Sequence, residues 1–211
     1  MIAFVIVAAA LAFVVLNMGF STTQKAKTTI ISGLGEASSS LEVAGKVTGI
    51  ACTTVAGGCG SAGSLNVTAV PIKIASGGES INLDPSLVSI SLITNSIQYD
   101  DIYGGIITDQ TIASLGSALD EAVLDTIIDS DPLDAAVPSS TTAFIYWAVS
   151  SGTQNAILDQ GEHAVLAVAF QEGDRPTELD TIRIEISLPT GSPLTVERQV
   201  PNLSYTITDL G

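Results

Sequence analysis

The chain opens with an apolar block, Met1 to Phe20, that contains no charged side chain. Asn17 is its only clearly polar side chain, and polar residues begin directly afterwards at Ser21. At about 1.5 Å per residue, twenty helical residues extend about 30 Å, which matches the thickness of a bilayer core. The pattern therefore predicts an apolar helix long enough to span a membrane.

Three interpretations of this block compete. A secretory signal peptide is disfavoured, because no basic residue precedes Ile2 and Asn17-Met18-Gly19 is a poor cleavage site. A transmembrane anchor fits by length. A polymerisation helix, which leaves the membrane to pack against copies of itself, also explains Ala8 and Ala12, since such small-xxx-small pairs let helix backbones approach closely. The block alone leaves the choice open.

Helical periodicity continues beyond Phe20. Apolar or small residues recur at alternating spacings of four and three, at Ile30, Leu34, Ala37, Leu41, Ala44 and Thr48. This spacing is typical of a helix that packs along another helix. We therefore predict a polymerisation helix in residues 1–50, continuous to about Gly49. The residues expected to pack in it are Ile2, Phe4, Val5, Ala8, Ala9, Ala12, Phe13, Leu16, Phe20, Ile30, Leu34 and Leu41.

From Ser64 onward the hydrophobic period changes to two. About nine short runs rich in β-branched residues follow, separated by turn signals such as Gly77-Gly78 and Asp84-Pro85. Such spacing predicts an all-β sandwich in residues 51–211. The run that starts at His163, HAVLAVAF, lacks polar alternation, so we expect a central strand buried on both faces.

One helical stretch interrupts the strands. Leu115, Leu119, Val123 and Ile127 recur every four residues, which predicts a short helix lying on the sandwich. The predicted fold class is therefore α+β: a long N-terminal hydrophobic α-helix, followed by an all-β sandwich with a short inserted helix.

Charge is unevenly distributed along the chain. The net charge is −15, and residues 1–50 carry +1 while residues 51–211 carry −16. An acidic sandwich repels nucleic acid and anionic lipid, and it lacks the basic clusters that neutralise phosphates. Nucleic acid is thus excluded as a partner.

The two cysteines, Cys52 and Cys59, enclose six residues, two of which are glycine. In an extracellular domain this spacing favours a disulfide. A zinc site would need more ligands, and the only histidine, His163, is distant in sequence.

No catalytic constellation is present. His163 has no nucleophile motif beside it, and the acidic stretch Asp129–Asp134 lacks the glycine and glutamate of a calcium loop. We therefore expect no catalytic, metal or cofactor site, and no enzymatic activity. Two glycosylation sequons begin at Asn66 and Asn202, and both asparagines are expected on outward-facing strand positions.

The opening IAFVIVAAALAFVVLNMGF, followed by STTQKAK and EASSSLEVAGKV, resembles the N-terminal helix of archaeal flagellins (archaellins). The C-terminal residues are also similar, with the pair Glu197-Arg198, Pro201 and the final Ile207–Gly211. The resemblance implies a precursor whose basic leader is removed, a helix in a filament core and an immunoglobulin-like β-sandwich outside it.

The resemblance also implies a function and its partners. We expect a structural subunit of the archaellum filament, an extracellular cell-surface structure used for swimming. Its expected partners are copies of itself, other archaellins, the membrane before assembly, and an assembly ATPase with its platform. Two alternatives remain open: an archaeal type IV adhesion pilin, and a membrane-anchored extracellular binding module.

Overall fold

The computed structural model describes residues 2–38, 41–52, 63–133, 137–152 and 155–211. They form two compact units, Met1–Ala37 and Ser38–Gly211. The first unit is a single helix. The second is a β-sandwich that carries one short α-helix and a turn of 3-10 helix. The predicted fold class is confirmed.

The N-terminal helix, α1, runs over Ile2–Ser38 and contains 37 residues. At about 1.5 Å per residue it is about 55 Å long. Apolar residues occupy its whole circumference as far as Leu16, so no side of this half is suited to water.

The prediction that this helix continues to about Gly49 is wrong. Strand β1 (Leu41–Val43) and strand β2 (Thr48–Cys52) follow it closely and both pair with β3 (Ser64–Ile74). Leu41 is 6% exposed in the sandwich core. The apolar spacing fits a helix seam and two short strands equally well, and pairing with β3 supplies hydrogen bonds and burial that an unsupported helix end lacks.

The remaining elements complete two sheets and a small extra pair. They are β4 (Ile81–Asn82), β5 (Ser89–Ile93), β6 (Gln98–Tyr99), β7 (Tyr103–Thr111), α2 (Leu115–Leu124), β8 (Thr142–Val149), β9 (Ile157–Leu158), β10 (His163–Ala169), a 3-10 turn (Glu172–Asp174), β11 (Thr181–Ser187), β12 (Leu194–Gln199) and β13 (Ile207–Asp209). The large sheet has the order β13-β2-β3-β10-β8-β7, with β1 also on β3, and the small sheet has the order β12-β11-β5-β6. Strands β4 and β9 pair separately, and β7 and β8 pair in parallel, whereas the other pairs are antiparallel.

The large sheet has a hydrophobic core on each face. Leu166 and Val168 of β10 and Trp147 of β8 belong to the main core, with residues of the small sheet. The intervening Ala167 and Phe144 belong to a second core, which contains buried residues of α2. Both sides of β10 are therefore covered, which confirms the predicted central strand and explains its lack of polar alternation.

Helix α2 begins and ends by local signals. The Ser114 hydroxyl accepts a hydrogen bond from the Ser117 backbone N–H at 3.2 Å, which caps its N-terminus. Beyond its C-terminus, Thr126 has a φ of 58°, a left-handed conformation that stops the helix. Ala118, Leu119 and Ala122 are its buried residues, so the predicted helix is confirmed, although Ile127 lies beyond it.

The C-terminal residues close the edge of the large sheet beside the first residues of the sandwich. Strand β13 pairs with β2, and the Leu210 N–H donates to the Val47 carbonyl at 2.8 Å. Lys46 forms an ion pair with Asp209, which raises the pKa of Lys46 and lowers that of Asp209. The C-terminus is thus part of the structure that follows α1.

One buried carboxylate organises the turns between β8 and β10. Glu162 is 3% exposed and accepts hydrogen bonds from the backbone N–H groups of Ser151 and Asp159, at 2.7 and 3.0 Å. Burial alone would raise the pKa of Glu162, but these bonds and those of the serine hydroxyls hold it below its ordinary value. The ionised form therefore stabilises the fold.

The corrected end of α1 predicts a mutational effect. Leu41→Ala should lower the free energy of unfolding of the sandwich by about 2–5 kcal/mol, because it leaves a cavity in the core. Ile31→Ala, on the exposed surface of α1, should leave sandwich unfolding unchanged. Denaturant unfolding of detergent-solubilised protein, followed by the fluorescence of Trp147, measures both. Equal effects of the two changes would contradict the placement of Leu41.

Glu162 predicts a pH dependence. The pKa of Glu162 is lowered on folding, so its contribution is complete above the unfolded value of 4.5 and is lost as the pH falls through the lower folded value. Glu162→Gln should cost about 1–3 kcal/mol at pH 7, and its stability should fall less on acidification. Unfolding measured from pH 7 to pH 3, with the exposed Glu79→Gln as control, tests this. Parallel pH profiles for wild type and Glu162→Gln would refute it.

Candidate interaction surface

The surface of α1 is the largest exposed apolar feature among the described residues. Ile2–Ile31 is long and apolar enough to cross a membrane. An 18-residue window within it has a mean hydropathy of 2.6, and no part of that window is buried inside the chain. The large apolar side chains that are more than half exposed here are Ile2, Phe4, Val5, Ile6, Val7, Leu11, Phe13, Val14, Val15, Leu16, Met18, Phe20, Ile30 and Ile31.

The free energy at stake is large. Burying one such side chain stabilises by about 1.5–3 kcal/mol, so fourteen of them correspond to tens of kcal/mol. A free monomer in water would lack this stabilisation by burial, which exceeds the entire free energy of unfolding of a typical domain. Helix α1 therefore needs a lipid or protein environment supplied from outside its own chain.

Small residues give this surface places of close approach. Ala8, Ala9 and Ala12 are exposed in the apolar half, with Ala8 and Ala12 four residues apart on one face. A Cβ atom added at Gly19 or Gly33 would meet no other atom within 4 Å, so both glycines leave open notches. A neighbouring helix could approach closely at these positions.

Four threonines extend the region of α1 that tolerates an apolar environment. The hydroxyls of Thr22, Thr23, Thr28 and Thr29 each donate to the carbonyl four residues earlier, at 2.8–3.0 Å. A hydroxyl satisfied within its own helix does not need water. The part of the helix that can be buried away from water thus continues past Phe20, although the residues there are polar.

The structure places most residues of the predicted polymerisation helix on this surface. Ile2, Phe4, Val5, Ala8, Ala9, Ala12, Phe13, Leu16, Phe20 and Ile30 are all exposed on α1. Leu34 lies within α1, and its side chain is outside the described part. Leu41 does not belong to this surface, because it is in the sandwich core.

The predicted disulfide involves a residue outside the described part of the chain. Cys52 ends strand β2, with its Cα opposite Ser64, and Cys59 is not among the described residues. The Cys52–Cys59 bond stays a prediction.

The prediction that Asn66 points outward is wrong. Asn66 is 3% exposed in β3, and its amide donates to the Pro132 carbonyl at 2.9 Å. Strand β3 lies between β2 and β10 with a core on each face of the sheet, so alternation gives it no outward side. A glycan at this nitrogen is incompatible with the folded chain.

Asn202 is different. It is exposed, lies between β12 and β13, and accepts a hydrogen bond from the Ser204 hydroxyl of its own sequon. The prediction that Asn202 lies on a strand is wrong, because β12 ends at Gln199 and β13 begins only at Ile207. Glycosylation of Asn202 stays a prediction.

The acidic loop after α2 is organised by backbone contacts. Asp129 accepts hydrogen bonds from the Ser139 N–H at 3.1 Å, and bonds from Ser139 hold the pKa of Asp129 below its ordinary value. Asp131 accepts from the Leu133 N–H at 2.8 Å. Within the described ranges, no group of three or more His, Cys, Asp or Glu side chains could hold a metal ion.

A buried polar cluster was not predicted from the sequence. Asp174, 6% exposed, accepts hydrogen bonds from the Thr141 hydroxyl at 2.6 Å, the Gln171 amide at 2.7 Å and the Tyr99 hydroxyl at 2.9 Å. The next residue, Arg175, is 7% exposed, and burial lowers its pKa while Glu172 opposes the effect. The only sequence feature near this cluster is the Gly173–Pro176 turn, and that composition is typical of an ordinary surface connection.

Comparison with known proteins points to one family. The model of the archaeal-type flagellin family matches residues 1–198. A probable flagellin 1 of Aeropyrum pernix is 36% identical over 204 residues, 95% of this chain and 87% of that protein. A probable flagellin 2 of Archaeoglobus fulgidus is 37% identical over 95 residues, 44% of this chain and 46% of that protein.

Solved structures share the fold. The crystal structure of archaeal flagellin FlaB1 from Methanocaldococcus jannaschii superposes with a TM-score of 0.60 at 15% identity, covering 81% of this chain and 95% of that one. The archaeal flagellum of Methanospirillum hungatei strain JF1 superposes with a TM-score of 0.55 at 21% identity, covering 100% of this chain and 94% of that one.

The different burial of the two sequon asparagines predicts glycan placement. If the purified chain carries N-linked glycan, it should be on Asn202 and absent from Asn66, whose amide is buried and hydrogen-bonded. Mass spectrometry of peptides from the native protein, with and without chemical deglycosylation, measures both sites in one sample. Glycan on Asn66 would show that β3 is not buried when modification occurs.

Proposed function

Because the chain belongs to the archaeal-type flagellin family, we propose that it is a structural subunit of the archaellum filament and polymerises through α1. The observation that carries the proposal is the exposed apolar surface of Ile2–Ile31. We propose a structural role for the chain and no catalytic activity. The proposed location is the filament outside the cell.

Before assembly, we place α1 in the membrane. Lipid covers its apolar circumference and matches its length, whereas water does not. The sandwich then lies outside the bilayer, which suits its acidic surface. In this state the chain is an anchored monomer.

Transfer of α1 from lipid into a bundle of helices gains little hydrophobic free energy, because lipid tails are already apolar. The gain must come from close packing at small residues such as Ala8 and Ala12, and from contacts between outer units. Extraction is therefore expected to need an energy-coupled ATPase and its platform. Once assembled, the polymer is trapped, since each helix that leaves must cross water.

The shape of such a polymer is set by the repeated contact between neighbouring subunits. A head-to-tail contact repeated along a screw axis gives an open filament instead of a closed ring. Helices enclosed by other helices resist bending and twisting, as a rotating propeller requires. Other archaellins with the same kind of helix could enter the same filament.

The decisive experiment uses a strain lacking this chain. We expect loss of swimming with surface attachment intact, and loss of shed filaments in electron micrographs. The strain is complemented with wild type, with Ala9→Leu, which blocks close helix approach, or with Ala113→Leu as a control at an exposed position of the sandwich unit, between β7 and α2. Wild type and Ala113→Leu should restore swimming, and Ala9→Leu should not.

Other outcomes would favour the alternatives. Intact swimming with lost attachment would indicate an adhesion pilin built on the same helix. A chain that stays with membranes, and never shears into the medium as filaments, would indicate an anchored binding module.

A further inference from the structure

Lys25 and Lys27 are the only basic residues of α1, and they stand on different sides of it. At 3.6 residues per turn, two residues are separated by about 160° around the axis, measured the shorter way. In the part of the chain that the structure describes, neither ammonium has an ion pair or a side-chain hydrogen bond. By contrast, Lys46, Lys73 and Arg183 of the sandwich each meet a carboxylate of their own unit.

Lys27 lies at the end of an apolar groove on α1. We call it the Lys27 groove, and its lining residues are Leu16, Gly19, Phe20, Thr23, Gln24 and Lys27. Leu16, Phe20, Thr23 and Lys27 follow one another at spacings of four, three and four, so they share one face. Gly19 provides the depth, because no side chain fills its position.

Lys25 lies in a polar setting. The residues around it are Asn17, Met18, Ser21, Thr22, Gln24, Thr28 and Thr29. The hydroxyls of Thr22, Thr28 and Thr29 are bonded within the helix, but Asn17 and Ser21 add polar groups here. This side therefore has fewer apolar side chains than the Lys27 groove, with Met18 the only one. The two lysines are thus chemically identical groups, two residues apart, in an apolar and a polar environment.

Covering the Lys27 groove by a neighbouring helix would place the Lys27 ammonium at the edge of a dry contact. A charge taken out of water needs a charged partner and hydrogen bonds. The lysine stem can pack on Phe20 while its head reaches such a partner. The partner must therefore be an anion carried by whatever covers the groove.

The chain itself supplies the complementary charge. Residues 74–174 contain fifteen Asp and Glu and no Lys or Arg. In a polymer of this chain, a neighbouring copy therefore offers Glu36 of its α1 and the many acids of its sandwich as candidate partners. Charge complementarity thus identifies the occupant of the groove as a second copy of the chain.

We propose that Lys27, and not Lys25, forms an ion pair with a carboxylate of a neighbouring copy when the Lys27 groove is covered. This inference rests on the proposed polymerisation through α1 and adds its charged contact. The pair gives the helix packing an axial register, because a uniformly apolar surface can slide whereas a buried charge must meet its partner.

The test combines coupling chemistry with matched variants. Shed wild-type filaments are treated with a water-soluble carbodiimide, which joins an amine directly to a carboxylate in contact with it. Peptide mass spectrometry should find Lys27 joined to an Asp or Glu in filaments, and not in detergent-dispersed monomers. Lys25 should stay uncoupled in both samples.

Lys27→Gln should reduce the yield of shed filaments at least about tenfold relative to Lys25→Gln, because it leaves a carboxylate unpaired in the contact. Lys27→Arg should restore most of the yield. Circular dichroism of the detergent-solubilised variants shows whether the sandwich remains folded, so that a folding defect is recognised.

Each contrary result overturns the pairing. Wild-type filaments without Lys27 coupling, equal yields of the two Gln variants, or coupling at Lys25 alone would do so while leaving polymerisation itself intact. Acylation of the lysine amines distinguishes the membrane as a source of the anion. If the Lys27 amine is shielded in vesicles of anionic lipid but reacts in filaments, it pairs with lipid phosphate and not with a copy. Failure of the wild type to form any filament would overturn both the pairing and the proposed function.

Discussion

The apolar surface of α1 is left exposed by its own chain, and the design of the rest of the molecule follows from that constraint. A helix with fourteen exposed large apolar side chains has two stable environments, lipid and other helices. The sandwich must therefore fold without help from α1, since the helix is committed elsewhere in both states. Its two cores, on either face of one sheet, provide that independence.

The way the chain enters the sandwich follows from the same constraint. Directly after α1, strands β1 and β2 both pair with the long strand β3, and the C-terminal strand β13 pairs with β2. Gly49 allows this close pairing, because a Cβ there would lie 2.7 Å from the Leu65 side chain. The sandwich therefore begins with hydrogen-bonded strands, and its first and last strands share one sheet. The family-like C-terminal residues thus have a structural role beside the start of the sandwich.

The sequence was most informative where one pattern had one explanation. The uninterrupted apolar block, the alternating runs and the four-residue stripe of α2 each allow a single regular structure, and each prediction is confirmed. Leu41 was misplaced because its spacing fits a helix seam and a strand alike, and only pairing with β3 decides between them. Asn66 was misplaced because alternation predicts an outward side only when one face of the sheet is in water. The contacts of Asp174 with Tyr99 and Thr141 span 75 and 33 residues, so no local pattern contains them.

Like charges on the acidic sandwiches oppose polymerisation, but this repulsion acts only over a short distance in salt. Charges on neighbouring sandwiches repel through water, where the screening length is about 8–10 Å at moderate salt. Apart from the proposed Lys27 pair, contacts between apolar helices involve no charge, and salt does not weaken apolar burial. Salt therefore acts mainly on the repulsion between sandwiches. A subunit built this way has its large apolar surface on α1 and its net acidic charge on the sandwich, so filaments cohere along their length without sticking to one another.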